Sequence, residues 1–193
     1  MKTANTADEV LVSRTLAGDL KAFELLVERH HTTVRRVAAR IVGANEADDV
    51  AQDAFLRAFH RLGQFRGDSP FRSWLLRIAQ NAALNELERR RPLSVEPADE
   101  ESSGGDETAA RTPADALEAR ERRERLRAKL TLMQPAHRAV LVLRDLEGLS
   151  YDEIASVTQT PLGSVKGRLH RARRELIDIL RANTYDWGVP AYE

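Results

Sequence analysis

Residues 149–176 read LSYDEIASVTQTPLGSVKGRLHRARREL, and this stretch decides the fold. Ser150 with Glu153 three residues on forms a capping box, opening a short helix that holds Ile154 and Ala155. After the polar turn Thr158, Gln159, Thr160, a helix restarts at Pro161. Its face Val165, Leu169, Ala172, Leu176 and Leu180 points inward, while Ser164, Gly167, His170, Arg171 and Arg174 point the other way. A short helix, a tight turn and a long basic helix make the helix-turn-helix pattern. From Pro161 to Arg174 there are five basic residues, one histidine and no acid. Such a run alone is only a solvated face. On the second helix of this motif it points to the DNA major groove, where Arg and Lys pair with guanine and other cations meet phosphates. Gly163 and Gly167 let a backbone approach DNA closely, or else simply weaken the helix by about 1 kcal/mol each.

Upstream of the motif the chain is helical too. Leu126, Leu130 and Met133 share a face before Pro135, and Val140, Leu143 and Leu146 share one before Gly148. The N-terminal block also reads as helices only. Phe23, Leu26, Val27, His30, Val34, Val37, Ala38 and Ile41 line one face of a long helix ended by Gly43, so His30 is a packed histidine rather than a ligand. A second helix runs from about Glu46 to Leu62 with Ala47, Val50, Ala51, Ala54, Ala58 and Leu62 inward. A third begins at Pro70 after the cap candidate Ser69 and continues through Trp74, Leu75, Ile78, Ala79 and Ala82 to Arg89, Arg90 and Arg91.

Between the blocks lies PLSVEPADEESSGGDETAARTPADAL, residues 92–117, with almost no large apolar side chains to offset its ordering entropy. It reads as a flexible acidic linker, spanning roughly 25–31 Å as a coil and at most about 85–95 Å extended. The fold class is therefore all-α, with two small helical domains joined by that linker: 1–91, then 118–183, followed by a tail over 184–193. The 193 residues carry 30 basic and 30 acidic side chains. The balance hides a contrast, because 1–91 and 118–193 each carry +3 and the linker carries −6. With no cysteine there is no disulfide, thiol nucleophile or Cys-ligated metal. The longest apolar run, Ala139–Leu143, is far too short to cross a bilayer, and no signal-peptide pattern opens the chain, which leaves a soluble cytoplasmic protein without membrane insertion. No GxSxG, HExxH, P-loop or CxxC occurs, which argues against an enzyme and against any cofactor.

The quoted stretch resembles the promoter-recognising domain of bacterial sigma factors, specifically the short extracytoplasmic-function subgroup of the sigma-70 family. DDVAQDAFLRAF and FRGDSPFRSWLLRIAQNAALNELERRR repeat the resemblance independently in the first block. It implies a region-2 domain over 1–91 and a region-4 domain over 118–183. It further implies binding to core RNA polymerase and to promoter DNA, an anti-sigma factor as an additional partner, and association with the nucleoid within the holoenzyme. In the family the helix bearing DDVAQDAF binds the largest core subunit, which assigns that contact to Asp48, Asp49, Gln52, Asp53 and Leu56; the plainer reading is an ordinary solvated acidic face, and a metal site is set aside because neither a phosphate-cradling glycine loop nor a helper histidine accompanies the carboxylates, so a protein-docking face fits better. The interleaved segment Phe65, Arg66, Asp68, Ser69, Phe71, Arg72, Trp74 and Arg77, with Asn81, matches the surface that opens and reads the −10 element, where flat rings receive unstacked bases and cations hold the backbone. Phe71 and Trp74 suit the core as well as they suit stacking.

The family's second helix-turn-helix helix reads the −35 element, which nominates Ser164, Lys166, Arg168, His170, Arg171 and Arg174, with phosphate contact expected of Lys166 and Arg168. Two positions depart from the family: Gly167 stands where Ser or Thr is common, and Gln159 stands where the turn usually has Gly, so Gln159 is expected in a left-handed conformation. By the same resemblance the acidic linker threads through the polymerase toward the RNA exit path. A free-standing helix-turn-helix repressor or activator is the alternative, and the acidic docking face followed by a melting loop speaks against it.

Overall fold

Gly43, at φ 103°, ends the long amphipathic helix of the first block where the sequence places its stop. The computed structural model describes residues 7–90 and 113–182, and all their regular structure is helical. The tail and most of the segment read as linker lie outside the described residues. In chain order the elements are α1 (Asp8–Leu16), α2 (Leu20–Val42), α3 (Ala47–Arg61) with a closing 3-10 turn, α4 (Phe71–Arg90), α5 (Pro113–Thr131), α6 (Pro135–Leu141), α7 (Tyr151–Thr158) and α8 (Leu162–Arg181). The all-α reading holds. α5 starts within the stretch assigned to the linker, and α1 was not foreseen.

α2, α3 and α4 pack against one another, and α1 lies along α2. Leu26, His30, Val34, Val37, Ala38 and Ile41 of α2 are buried, as are all six inward residues expected of α3 and its closing turn. α1 is held by Leu11, fully buried, and by Asp8, whose carboxylate meets the His30 Nε2 at 2.8 Å. That settles His30 as a packed, hydrogen-bonded histidine. α4 starts at Phe71 rather than at Pro70, whose carbonyl accepts the Ser73 and Trp74 amides at 2.9 and 3.2 Å.

In the second block Leu130, Met133, Val140 and Leu143 are buried as expected, but Leu146 is 37% exposed. The cause is a π-helical segment over Val142–Leu146, closed by the Glu147 amide donating to the Val142 carbonyl at 3.0 Å. Its wider i→i+5 turn rotates Leu146 off the inward face and brings Glu147 in instead. The capping box is formed, with the Glu153 amide donating to Ser150 Oγ at 3.2 Å and the Ser150 amide donating to Glu153 Oε2 at 2.8 Å. Gln159 adopts the expected left-handed backbone, φ 51° and ψ 40°.

The two blocks are not held apart. One continuous core joins Val37, Ala38, Ile41 and Val42 of α2 and Leu76 and Ala83 of α4 to Leu130, Met133 and the Ala139–Leu143 run. α4 is therefore buried on two faces: Leu75, Ile78 and Ala79 face α2 and α3, while Ser73, Leu76, Ala83 and Leu87 follow a second helical stripe toward α7.

Candidate nucleic-acid and partner interfaces

α3 presents its polar residues outward because its small residues, Ala47, Ala51, Ala54 and Ala58, let it lie close against α2 and α4. Asp48, Asp49, Gln52 and Leu56 are exposed and Asp53 is half-exposed, so the five docking candidates share one open side. Asp48, Gln52 and Leu56 border a groove of about 530 Å³ whose floor is Phe23, Val27, Phe55 and Phe59, with His31 at its edge. Leu56 is 55% exposed, and Phe23 and Phe59 meet edge to face at 4.9 Å. The face is an apolar trough with an acidic rim. Reading α2 for its inward stripe alone missed that Phe23 and Val27, only half-buried, belong to this trough. Asp48 is held by the Arg35 Nε at 2.7 Å, and that bond sets its carboxyl below the usual carboxylate range. Asp53 pairs with Arg57 one turn on at 2.8 Å.

Phe65 in the loop before α4 and Phe71 and Trp74 in its first turn form a ring cluster, with centroids 5.4 to 5.7 Å apart. Phe71 is 1% exposed and also faces the His30 ring, so it is removed from the stacking candidates: a ring closed off by its neighbours cannot receive a base. Phe65 and Trp74 are half-buried, and Arg66, Asp68 and Asn81 are exposed. Ser69 and Arg77 are half-exposed. Arg72 differs from the others, because its Nη2 donates to the Glu147 carboxylate and carbonyl, both at 3.3 Å.

On α8, Val165, Leu169 and Ala172 anchor the inner face, and Ser164, Lys166, His170, Arg171 and Arg174 are exposed. Arg168 and Gly167 are half-buried. Gly163 has open space around it, and a Cβ at Gly167 would meet only the Arg171 guanidinium at 3.6 Å, so neither glycine is required by packing within the chain. Arg173 was not among the candidates, and its guanidinium is committed to Asp145 at 2.7 Å, a bond that raises its pKa. Arg171 and Arg174 also border a groove near the end of α8 with Leu132 and Ile179. Among the described residues no group of three His, Asp or Glu is placed to hold a metal ion, and no helix is long and apolar enough to cross a membrane.

An α8 with an open basic face behind a capped α7 defines a helix-turn-helix DNA-binding protein; the trough and ring-lined loop on the other block add a second binding module. Residues 26–92 match the family model of sigma-70 region 2, and residues 123–176 match that of sigma-70 region 4. The chain is 40% identical over 177 residues to the ECF RNA polymerase sigma-E factor of Escherichia coli K12, covering 89% of this chain and 92% of that one. It is 41% identical over 178 residues to the RNA polymerase sigma-H factor of Pseudomonas aeruginosa, at the same coverage. Among solved structures, CnrH in complex with the cytosolic domain of CnrY aligns at TM-score 0.68 and 30% identity, over 93% of this chain and all of that one. The chain belongs to the extracytoplasmic-function group of the sigma-70 family.

Proposed function

We infer that this protein gives core RNA polymerase its promoter specificity. As a sigma factor it binds core polymerase and promoter DNA and directs transcription initiation. The observation that carries the reading is the pairing, on one chain, of a region-2 match that holds the apolar trough and a region-4 match that holds the open basic helix.

Within that function the division of labour is our proposal. The α3 trough, with Asp48, Asp49, Gln52, Asp53 and Leu56, receives a polymerase helix pair whose apolar ridge enters the trough and whose basic flanks meet the acidic rim. Phe65 and Trp74 receive unstacked −10 bases, with Arg66, Arg72 and Arg77 on the backbone and Asn81 reading an adjacent base. Asp68 and Ser69 shape the loop that captures the flipped base. Ser164, His170, Arg171 and Arg174 meet −35 bases, while Lys166 and Arg168 meet phosphates. The domain borders 1–91, 92–117 and 118–183 are part of the same proposal. Phosphoryl transfer belongs to the polymerase, so this chain is a regulator without chemistry of its own, acting in the cytoplasm and on the nucleoid within the holoenzyme. CnrH binds the cytosolic domain of CnrY, and by that likeness an anti-sigma partner is proposed here.

Run-off transcription tests the reading: purified protein is added to bacterial core polymerase on fragmented genomic DNA and the transcript starts are sequenced. The expected result is starts that depend on the protein and share paired upstream elements. DNA binding without any new starts would favour a polymerase-independent helix-turn-helix regulator.

A further inference from the structure

The Glu147 side chain is fully buried, and three guanidiniums from the other block converge on it. Arg36 grips it with two bonds, Nε to Oε1 at 2.8 Å and Nη2 to Oε2 at 2.7 Å. Arg40 Nη1 reaches Oε1 at 3.1 Å, and Arg72 Nη2 reaches Oε2 at 3.3 Å. A second tie lies beside it, from Ser73 Oγ to Glu153 Oε1 at 3.2 Å.

Three cations gathered at one point repel each other unless an anion sits among them. The anion here comes from a different domain, at the far end of a long connection, so it leaves when the domains part. Two-pronged arginine contact suits a phosphodiester as well as a carboxylate, since each presents a pair of oxygens sharing one negative charge. Arg72 also lies on the helix read above as facing the −10 element, and it shares Glu147 with Arg36 and Arg40.

We propose that Arg36, Arg40 and Arg72 form a binding site for a nucleic-acid backbone phosphate, and that Glu147 occupies it as an intramolecular stand-in while the two domains are closed. Closure and engagement of nucleic acid by this surface then exclude each other. The proposal rests on α4 being the promoter-facing helix.

The test uses the full chain, whose lack of cysteine allows one pair of dyes to be placed at Lys21→Cys and Asp178→Cys. Energy transfer between them reports domain separation, and anisotropy reports binding of a short single-stranded DNA oligonucleotide of mixed sequence. Glu147→Gln keeps the shape and removes the charge. It is expected to lower energy transfer and to tighten oligonucleotide binding about tenfold, because the competent open form is no longer a minority. Arg36→Ala with Arg40→Ala, added to Glu147→Gln, should abolish that gain and flatten the salt dependence of log affinity by about 0.7 for each phosphate no longer neutralised. In the unmutated chain, saturating oligonucleotide should itself lower energy transfer, since exclusion is reciprocal.

Unchanged energy transfer and affinity in Glu147→Gln would overturn the proposal. So would oligonucleotide binding to the unmutated chain with no domain separation, which needs no variant to fold. An unaltered salt slope in the triple variant would overturn the phosphate site. If these results fail while run-off transcription succeeds, the sigma reading stands without the latch; if they hold while transcription fails, the phosphate site stands without the promoter role.

Discussion

Arg138 on α6 donates through Nη1 to the carbonyl of Ile41 on α2, tying the second block to a backbone position 97 residues earlier. The same guanidinium donates through Nη2 to the Thr131 carbonyl at 2.6 Å and the Met133 carbonyl at 3.1 Å. Burial pushes its pKa down to about 10, so it is still charged near neutrality. The contact serves the end of α2, where Ile41 lies in the last turn before Gly43.

Arg138→Leu should therefore be costly, because it takes the donor from three carbonyls at once, two of them in buried bonds. The expected loss is about 2–4 kcal/mol of folding stability. Thermal unfolding followed by circular dichroism should show a fall in Tm of roughly 5–12 °C. A change within error would mean that water replaces the guanidinium at this junction.

The α3 trough gives a second expectation. Leu56→Asp places a charge on its apolar lip without entering the core, and should weaken binding to core polymerase about tenfold or more while leaving helicity unchanged. Gln52→Ala with Asp53→Ala should weaken the same complex and leave DNA affinity intact. Equal losses for both ligands would contradict a dedicated docking face. Co-migration with core polymerase and gel-shift binding separate the two.

Arg171 is exposed on the outward face of α8, and Arg171→Ala should cost about 1–3 kcal/mol of promoter affinity if it reads a base. The loss should vanish on unrelated DNA. A uniform loss on all sequences, with a shallower salt dependence, would make it a phosphate contact.

The capping box predicts a pH effect of definite sign. The Glu153 carboxyl is held below its usual range, chiefly by the Ser150 amide and then by the Ser150 and Ser73 hydroxyls and Arg72. A carboxylate with a lowered folded pKa adds stability above its unfolded pKa, and that stability is lost as pH falls through the folded value. Urea midpoints measured from about pH 6 down to about pH 3 should thus show unmutated protein and Glu153→Gln converging at the acid end. A gap that stays constant would mean that Glu153 acts by shape alone.

Gln159 holds a left-handed conformation with no glycine to ease it. Gln159→Gly should stabilise the chain by about 0.5–1 kcal/mol, read as a higher urea midpoint, and should leave DNA affinity unchanged.

Much of this was legible because local signals agreed with the tertiary result. The α2 stripe, the Gly43 stop and the Ser150 and Glu153 box follow from spacing and residue type, while the left-handed Gln159 follows from the resemblance, which has Gly at that turn. What escaped the reading depends on neighbours distant in sequence. Leu146 belonged to a plausible inward face until the π turn rotated it out, and no residue type announces such a turn. Arg36 and Glu147 lie 111 residues apart, and each alone looks like a solvated charge. Phe71 and Trp74 share a composition but not an environment, which only packing decides. A signal was present in α4, where Leu76, Ala83 and Leu87 form a second apolar stripe beside Leu75, Ile78 and Ala79; two stripes on one helix mean two packing partners. α1 offers Leu11 and Val12 as buried residues, too few to stand out as a period.

The two-sided burial of α4 limits how such a chain can diversify. Most of the helix answers to one packed neighbour or the other, so a change in what it recognises cannot be made there without unsettling a fold. Before its basic end at Arg89 and Arg90, the exposed positions of the helix are a narrow strip, Asn81, Asn85 and Glu88, at steps of four and three. Under the proposed reading, a change in −10 preference made on α4 without disturbing its packing falls to Asn81 and its exposed neighbours, with few letters and little room for compensating error, because Arg72, Trp74 and Arg77 are already half-buried among packed neighbours.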